Sequence, residues 1–294
     1  MISDTVISAT LLSLIAGLGT GLGGLIAVAH RPGRRSFGLL MGITAGVMIS
    51  LAFMQLVAEA WALQGFLTAT VGFAAGALLM FGLDFLLPHI RFGEREIHQP
   101  DCSSEDGLEA SRPVLPEGGE ESHRRWRNRG WRLSARAASP SPKINPGLLQ
   151  TGALLAIGIT IHNLPEGVAV GAGYVHLPQF GVFIALAIML HNIPEGIATA
   201  LPLCQGGMRR RDALRVAVLS GLAEPVGALA AALFLRNFEF LIPGALAFAG
   251  GVMMFITLDE LIPTAREHGH QHFVAAGIIL GSIFVFCLSG LLGV

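Results

Sequence analysis

Charge is what this 294-residue chain has least of: Asp, Glu, Lys and Arg together make 13% of it, against about 25% in ordinary soluble domains. With a net charge of −1 there is no basic excess to hold nucleic acid, and no nucleic-acid partner is expected. Cysteine is scarce as well. Cys102, Cys204 and Cys287 are scattered, with no CxxC spacing, so no disulfide framework is expected. The N-terminal stretch carries Asp4 and no basic run, so a cleaved signal peptide is not expected. No HExxH helix of the common metal hydrolases occurs.

What replaces charge is hydrocarbon. The chain is 52% hydrophobic and holds 38 glycines, a composition suited to close helix packing in lipid. Apolar stretches recur near 5–29, 37–60, 65–88, 148–173, 179–203, 212–236, 241–263 and 272–293. About 20 such residues cross a bilayer as a helix. The expectation is an all-α polytopic membrane protein with eight transmembrane helices, partnered by the lipid bilayer. Residues 1–90 hold helices 1–3 and residues 147–294 hold helices 4–8. Between them, 91–146 mixes ten Lys/Arg with nine Asp/Glu and shows no apolar period, a composition expected to be disordered.

Sidedness follows from the basic residues. Eighteen of the 19 Lys/Arg fall in segments that share one side of an eight-helix topology, and only Arg236 lies opposite. That puts the 91–146 loop in the cytoplasm and both termini outside, with the cytoplasmic (inner) membrane as the expected location.

Seven acids lie inside the apolar stretches: Glu59, Asp84, Glu166, Glu195, Glu224, Asp259 and Glu260. An ionised carboxylate costs about 2.5–3.5 kcal/mol or more at the bilayer centre. No Lys or Arg accompanies these seven, so the counter-charge must come from outside the protein. A divalent cation is the economical choice.

The sequence writes His-Asn-x-Pro-Glu-Gly twice, as HNLPEG at 162–167 and HNIPEG at 191–196. On a helix His162, Asn163 and Glu166 share one face, by i,i+4 and i,i+3 spacing. His191, Asn192 and Glu195 repeat that face. Pro165 and Pro194 have no N–H to donate, which frees the carbonyls of Ile161 and Leu190. Such interruptions are tolerated where a helix lines a cavity. Imidazole with carboxylate is a ligand set for Zn²⁺ and other first-row divalent ions. Glu224, mid-span on the sixth helix beside Pro225, is the natural third contributor.

The remaining acids order themselves by depth. Glu59 falls near the external end. Asp84, His89, Asp259 and Glu260 fall on the cytoplasmic half, where Pro88 and Pro263 free further carbonyls. The histidines of HGHQH (268–272) are a candidate metal-holding cluster at the cytoplasmic mouth. A second repeat links AGVMISLAFMQLVAEA (45–60) to GGVMMFITLDELIPTA (250–265), on helices of opposite direction. Inverted repeats around a midplane ion site are the pattern of alternating-access transporters.

The doubled HNxPEG motif, the mid-helix Glu on span 6 and DELIP on span 7 together resemble the ZIP family of divalent-metal transporters, in its bacterial, broad-specificity branch. The resemblance covers everything except residues 91–146. It implies a 3+2+3 arrangement, with spans 1–3 and 6–8 as inverted halves around spans 4 and 5. It further implies a binuclear centre. One position would use His162, Glu166, His191 and Glu195. The second would use Asn163, Asn192, Glu195 and Glu224, with Glu166 able to bridge. Two departures stand out: Asp259-Glu260 where many relatives carry His-Glu, and Asn192 where some carry Asp. The function implied is import of Zn²⁺ by preference, with Fe²⁺, Mn²⁺ and Cd²⁺ as further substrates and a homodimer as one compatible assembly. No enzyme activity and no resident cofactor are expected. The alternative weighed against this is an intramembrane metal-dependent hydrolase.

Overall fold

The computed structural model describes residues 4–30, 32–86 and 144–294. Among the described residues every regular element is helical. The helices are α1 (Asp4–Ala29), α2 (Arg34–Ser50), α3 (Ala58–Leu86), α4 (Pro146–His176), α5 (Pro178–Gln205), α6 (Arg210–Gly221), α7 (Ala223–Leu235), α8 (Ile242–Ile256), α9 (Ile262–His268) and α10 (Gln271–Leu292). Two π-helical segments interrupt them, Leu51–Val57 between α2 and α3 and Thr257–Leu261 between α8 and α9. Both fall in the segments 45–60 and 250–265 that resemble each other in sequence, and at matching places in them.

Among the described residues, seven helices, some spanning several elements, are long and apolar enough to cross a membrane. The protein is an integral membrane protein. One of the seven, Arg34–Phe85, runs for 52 residues. Straight, it would measure about 78 Å at 1.5 Å per residue, more than twice the roughly 30 Å hydrocarbon core. It is not straight: the chain breaks at Gly65, where φ is 83° and ψ is 174°, a conformation open to glycine and strained for other residues. Asn145 starts α4, its side chain accepting from the N–H groups of Gly147 and Leu148, with Pro146 preset at the first helical position. The fourth helix therefore begins two residues earlier than the apolar stretch at 148–173 marked. His89 and Cys102, with residues 87–143, lie outside the described residues.

Burial shows which helices are central. The most apolar window of α5 is 72% buried, whereas that of α10 is 22% buried. On α1 the side chains of Leu11, Ile15, Leu18, Leu22 and Leu25 form one stripe, each about half exposed, a surface made for lipid rather than water.

Glycine sets the inter-helix distances around the centre. A methyl group at Gly196 on α5 would stand 1.9 Å from the Thr20 carbonyl oxygen on α1, and one at Gly167 on α4 would stand 1.9 Å from the Glu224 carbonyl oxygen on α7. The helices therefore touch backbone to backbone there. Gly17 and Gly221 meet reciprocally, each placing its would-be methyl 2.3 Å from the other's carbonyl oxygen. Around that point Gly17 lies beside the Glu224 side chain and Thr20 beside Gly221, so α1 passes antiparallel to the α6–α7 segment. Farther out, Gly46 abuts Ile278 while Gly251 abuts Phe73, and Gly76 abuts Phe248 while Gly281 abuts Ile43. Each of these contacts has a partner contact with the two halves of the chain exchanged.

Candidate metal centre

The two HNxPEG copies lie side by side on α4 and α5, and their chemical side chains are buried. His162, Glu166, His191 and Glu195 are each at most 5% exposed. His162 Nε2 lies 2.8 Å from Glu166 Oε1, its i,i+4 neighbour, and 3.3 Å from Glu195 Oε1 on the other helix. His191 Nε2 lies 2.9 Å from the same Glu166 oxygen. Ligand atoms of His162, Glu166 and Glu195 all fall within 4.8 Å of one another. Glu166 is thus the common neighbour of both imidazoles, and His191 joins the group through it.

The orientation of these atoms is informative. His162 Nε2, Glu166 Oε2 and both oxygens of Glu195 are buried without a hydrogen-bond partner. His162 Nε2 stands 2.8 Å from a carboxylate oxygen yet makes no hydrogen bond with it. Buried polar atoms without partners are costly, about 1–3 kcal/mol each and more for charged groups. Several together in one place form a donor set that could hold a cation. Among the described residues no Lys or Arg is buried to serve instead.

The asparagines are fixed by backbone. Asn163 Nδ2 donates to the Ser220 carbonyl, 3.0 Å away at the end of α6. Asn192 Nδ2 donates to the Ala16 carbonyl on α1, also at 3.0 Å, and to a carboxylate oxygen of Glu224. With each amide nitrogen committed, Asn163 Oδ1 and Asn192 Oδ1 remain buried and unpartnered, as does Glu224 Oε2. The amide orientation follows from the network of donors and acceptors. The two asparagine oxygens are neutral groups that could serve as ligands, oriented by carbonyls of two other helices. Sequence reasoning could name the asparagines but not the carbonyls of Ala16 and Ser220 that aim them.

The outlying acids divide. Asp84 and Glu260 line a narrow cavity of about 20 Å³ together with Met80, Gly158, Phe255 and His162 itself, so they stand beside the centre. Asp259 is exposed and does not line that cavity. Glu59 lies elsewhere, at the far end of α4, where its Oε1 is 2.8 Å from His176 Nε2. His176 carried no motif in the sequence, and its pairing with Glu59 was not foreseen. His270 and His272 of the HGHQH segment have ring centroids 5.7 Å apart and are exposed, away from the buried cluster.

A helical membrane bundle with a buried His/Glu/Asn cluster and no buried counter-cation is the frame of an ion transporter. The comparisons with known proteins agree. The family described as ZIP Zinc transporter matches residues 137–289. The chain is 35% identical to the zinc transporter ZupT of Chlorobium luteolum, with 97% of each chain covered. It is 36% identical to ZupT of Corynebacterium efficiens over 98% of each. To the zinc transporter ZTP29 of Arabidopsis thaliana it is 34% identical, covering 92% of this chain and 89% of that one. The chain belongs to the ZIP family. It is a transporter and not an enzyme, which sets aside the hydrolase alternative.

Proposed function

We propose that this protein carries divalent transition-metal ions, Zn²⁺ by preference and Fe²⁺, Mn²⁺ or Cd²⁺ in addition, from outside into the cytosol of a bacterial cell. The observation that carries the reading is the buried group of His162, Glu166, His191 and Glu195, which holds several polar atoms without hydrogen-bond partners and, among the described residues, no buried Lys or Arg. Imidazole and carboxylate are borderline donors matched to these metals. Similarity over nearly the whole length to chains named zinc transporters adds support.

The centre is read as binuclear. His162, Glu166, His191 and Glu195 hold the first ion. Asn163, Asn192 and Glu224 offer oxygens to a second, with Glu195 and Glu166 between the two. The chain crosses the membrane eight times, since the break at Gly65 divides an otherwise overlong helix. The halves are inverted repeats. Reciprocal contacts support this: Gly17 exchanges with Gly221, while Ala16–Asn192 matches Ser220–Asn163 and Thr20–Gly196 matches Glu224–Gly167. Self-complementary exchange of this kind is what a two-fold relation produces. With the basic loops in the cytoplasm, the route along Asp84 and Glu260 leads inward.

The test is zinc-65 uptake into proteoliposomes. His162→Ala, Glu166→Ala, His191→Ala and Glu195→Ala should each abolish or severely reduce flux while inserting normally, and excess Fe²⁺, Mn²⁺ or Cd²⁺ should compete in the wild type. Near-normal flux in all four variants would overturn the assignment.

A further inference from the structure

The two-fold relation lets each half be searched for what the other contains. In the register that pairs 45–60 with 250–265, Gln55 corresponds to Glu260. In the register of the glycine contacts on α3 and α10, Ser289 corresponds to Asp84. The inner route has the two carboxylates of Glu260 and Asp84 on one cavity. The matching outer place has a neutral pair instead, Gln55 Nε2 donating to Ser289 Oγ at 3.2 Å. Entry from outside therefore has no carboxylate where exit has two, although a dilute divalent ion needs negative charge to gather it.

That charge stands a short way off. At the outer end of the bundle His176 closes α4, and its ring lies edge-on to Phe180 at 6.1 Å between centroids. Glu59 reaches it from the start of α3. His176, Gln64 and Glu239 line a cavity of about 420 Å³ together with Leu63, Val175, Phe240, Ile242 and Pro243. The turn at Gly65 presents Gln64, and the short turn Glu239–Leu241 presents Glu239. Fourteen residues separate His162 from His176 on one helix, about 21 Å at 1.5 Å per residue. This is a different place from the central cluster.

We propose that the outer mouth is a capture site for a hydrated divalent transition-metal ion, held by His176 and Glu59 with Glu239 facing it across the cavity. The donor chemistry repeats that of the centre, one imidazole and carboxylates. The difference is solvent. His176 and Glu59 side chains are 23% and 34% exposed, and the cavity has room for an ion that keeps much of its water. Such a site binds loosely and hands its ion on. It raises the local metal concentration before dehydration at the centre.

The proposal rests on the transport reading above for its sidedness, and the experiment separates the two. Full-length protein in nanodiscs is titrated with Zn²⁺ by equilibrium dialysis. A Glu166→Ala/Glu195→Ala background, which removes the carboxylates common to both central positions, should retain one weaker zinc site, and adding His176→Gln or Glu59→Gln should remove it. In uptake assays on the otherwise unaltered protein, His176→Gln should raise the apparent KM for zinc about threefold or more, with a smaller change in the saturated rate, as expected for loss of ground-state binding. His176→Cys supplies a thiolate, which is also a zinc ligand, and should restore the low KM. A hydrogen-bonded link that merely joins two helices would be broken as badly by Cys as by Gln. The capture site is overturned if the double-variant background binds no zinc, if His176→Gln leaves its weak site intact, or if Cys fails to rescue. Failure of the central reading would show separately, as normal flux in Glu166→Ala.

Discussion

Gly196→Ala tests how closely function depends on backbone contact at the second HNxPEG motif. The added methyl would lie 1.9 Å from the Thr20 carbonyl oxygen, 2.8 Å from its carbon and 2.9 Å from the Gly24 nitrogen. All three are backbone atoms of α1, so no side chain can swing aside. Ordinary contact begins near 3.4 Å; the interface must open by about 1.5 Å, and close-packed interiors do not yield that distance freely. One turn along the same interface, Asn192 donates to Ala16 at 3.0 Å. An equal opening there would stretch the bond to about 4.5 Å, well past hydrogen-bonding range. Asn192 would lose the carbonyl that aims its Oδ1, and its contact with Glu224 would go too.

Overpacking of this kind costs about 1–3 kcal/mol of stability. Displacing binding groups by about 1 Å can cost 100-fold in rate, so zinc uptake per inserted molecule should fall at least tenfold. The measurements are a thermal melt of the purified protein and zinc-65 uptake normalised to protein in the vesicle. Gly244→Ala is the matched control, because a methyl there meets nothing within 4 Å and helix propensity favours Ala. Wild-type melting and uptake in Gly196→Ala, or equal damage from Gly244→Ala, would refute the argument.

Two further outcomes are expected. Asn163→Ala or Glu224→Ala removes an oxygen of the second position and leaves the first group whole, so the ratio of Zn²⁺ to Fe²⁺ uptake should shift more than zinc uptake is lost; an unchanged ratio counts against a second position. Because imidazoles bind metal only when neutral and carboxylates when ionised, protons compete with the ion: zinc affinity should fall as the pH is lowered from about 8 to 5, and binding should release protons, seen by calorimetry in buffers of different ionisation heat. A flat affinity with no proton release would contradict that account.

Much of the centre was legible because helical spacing is short-range. His162 to Glu166 is one turn, and one turn suffices to predict the 2.8 Å approach that is observed. The intramembrane acids were legible for a different reason, that lipid makes each an anomaly demanding a partner. Adjacent residues defeated the same logic. Asp259 and Glu260 are consecutive on the π-helical turn and so point in different directions, and the structure turns Glu260 toward the cavity and leaves Asp259 exposed. The π segments at 51–57 and 257–261 were not legible, since no residue type encodes that turn. His176 escaped notice because a single histidine at the end of an apolar run has no local partner. Its neighbour Glu59 comes from another helix, and only tertiary contact brings them together. The aiming of the asparagines was hidden likewise, because backbone carbonyls of Ala16 and Ser220 do it and carry no side-chain signature.

The two-fold relation proposed for the halves has exceptions. Ala16 matches Ser220, Gly17 matches Gly221, and Gly196 against Thr20 matches Gly167 against Glu224. One member of these pairs is a carboxylate whose counterpart is a hydroxyl, namely Glu224 opposite Thr20. Thr20 Oγ1 is buried without a hydrogen-bond partner. If the backbone is nearly symmetric, the two end states of an alternating-access cycle can be close in packing energy, because each half adopts the other's arrangement. Ligand charge is then what distinguishes them. In the proposed binuclear centre, a single carboxylate on the α7 side would make the second ion position one-sided. Asp84 and Glu260 against Gln55 and Ser289 do the same for the routes leading away. These differences change how tightly an ion rests at each station and how long it stays. They do not set the direction of net flow, which without a coupled energy source follows the metal gradient, since binding differences alone only redistribute occupancy. Exchanging Thr20 for Glu should therefore change which metal the centre prefers and how fast it cycles, while leaving zinc moving down its gradient. Measuring uptake and efflux from the same vesicles would check both halves of that statement, and a variant that drove zinc against its gradient would refute the second.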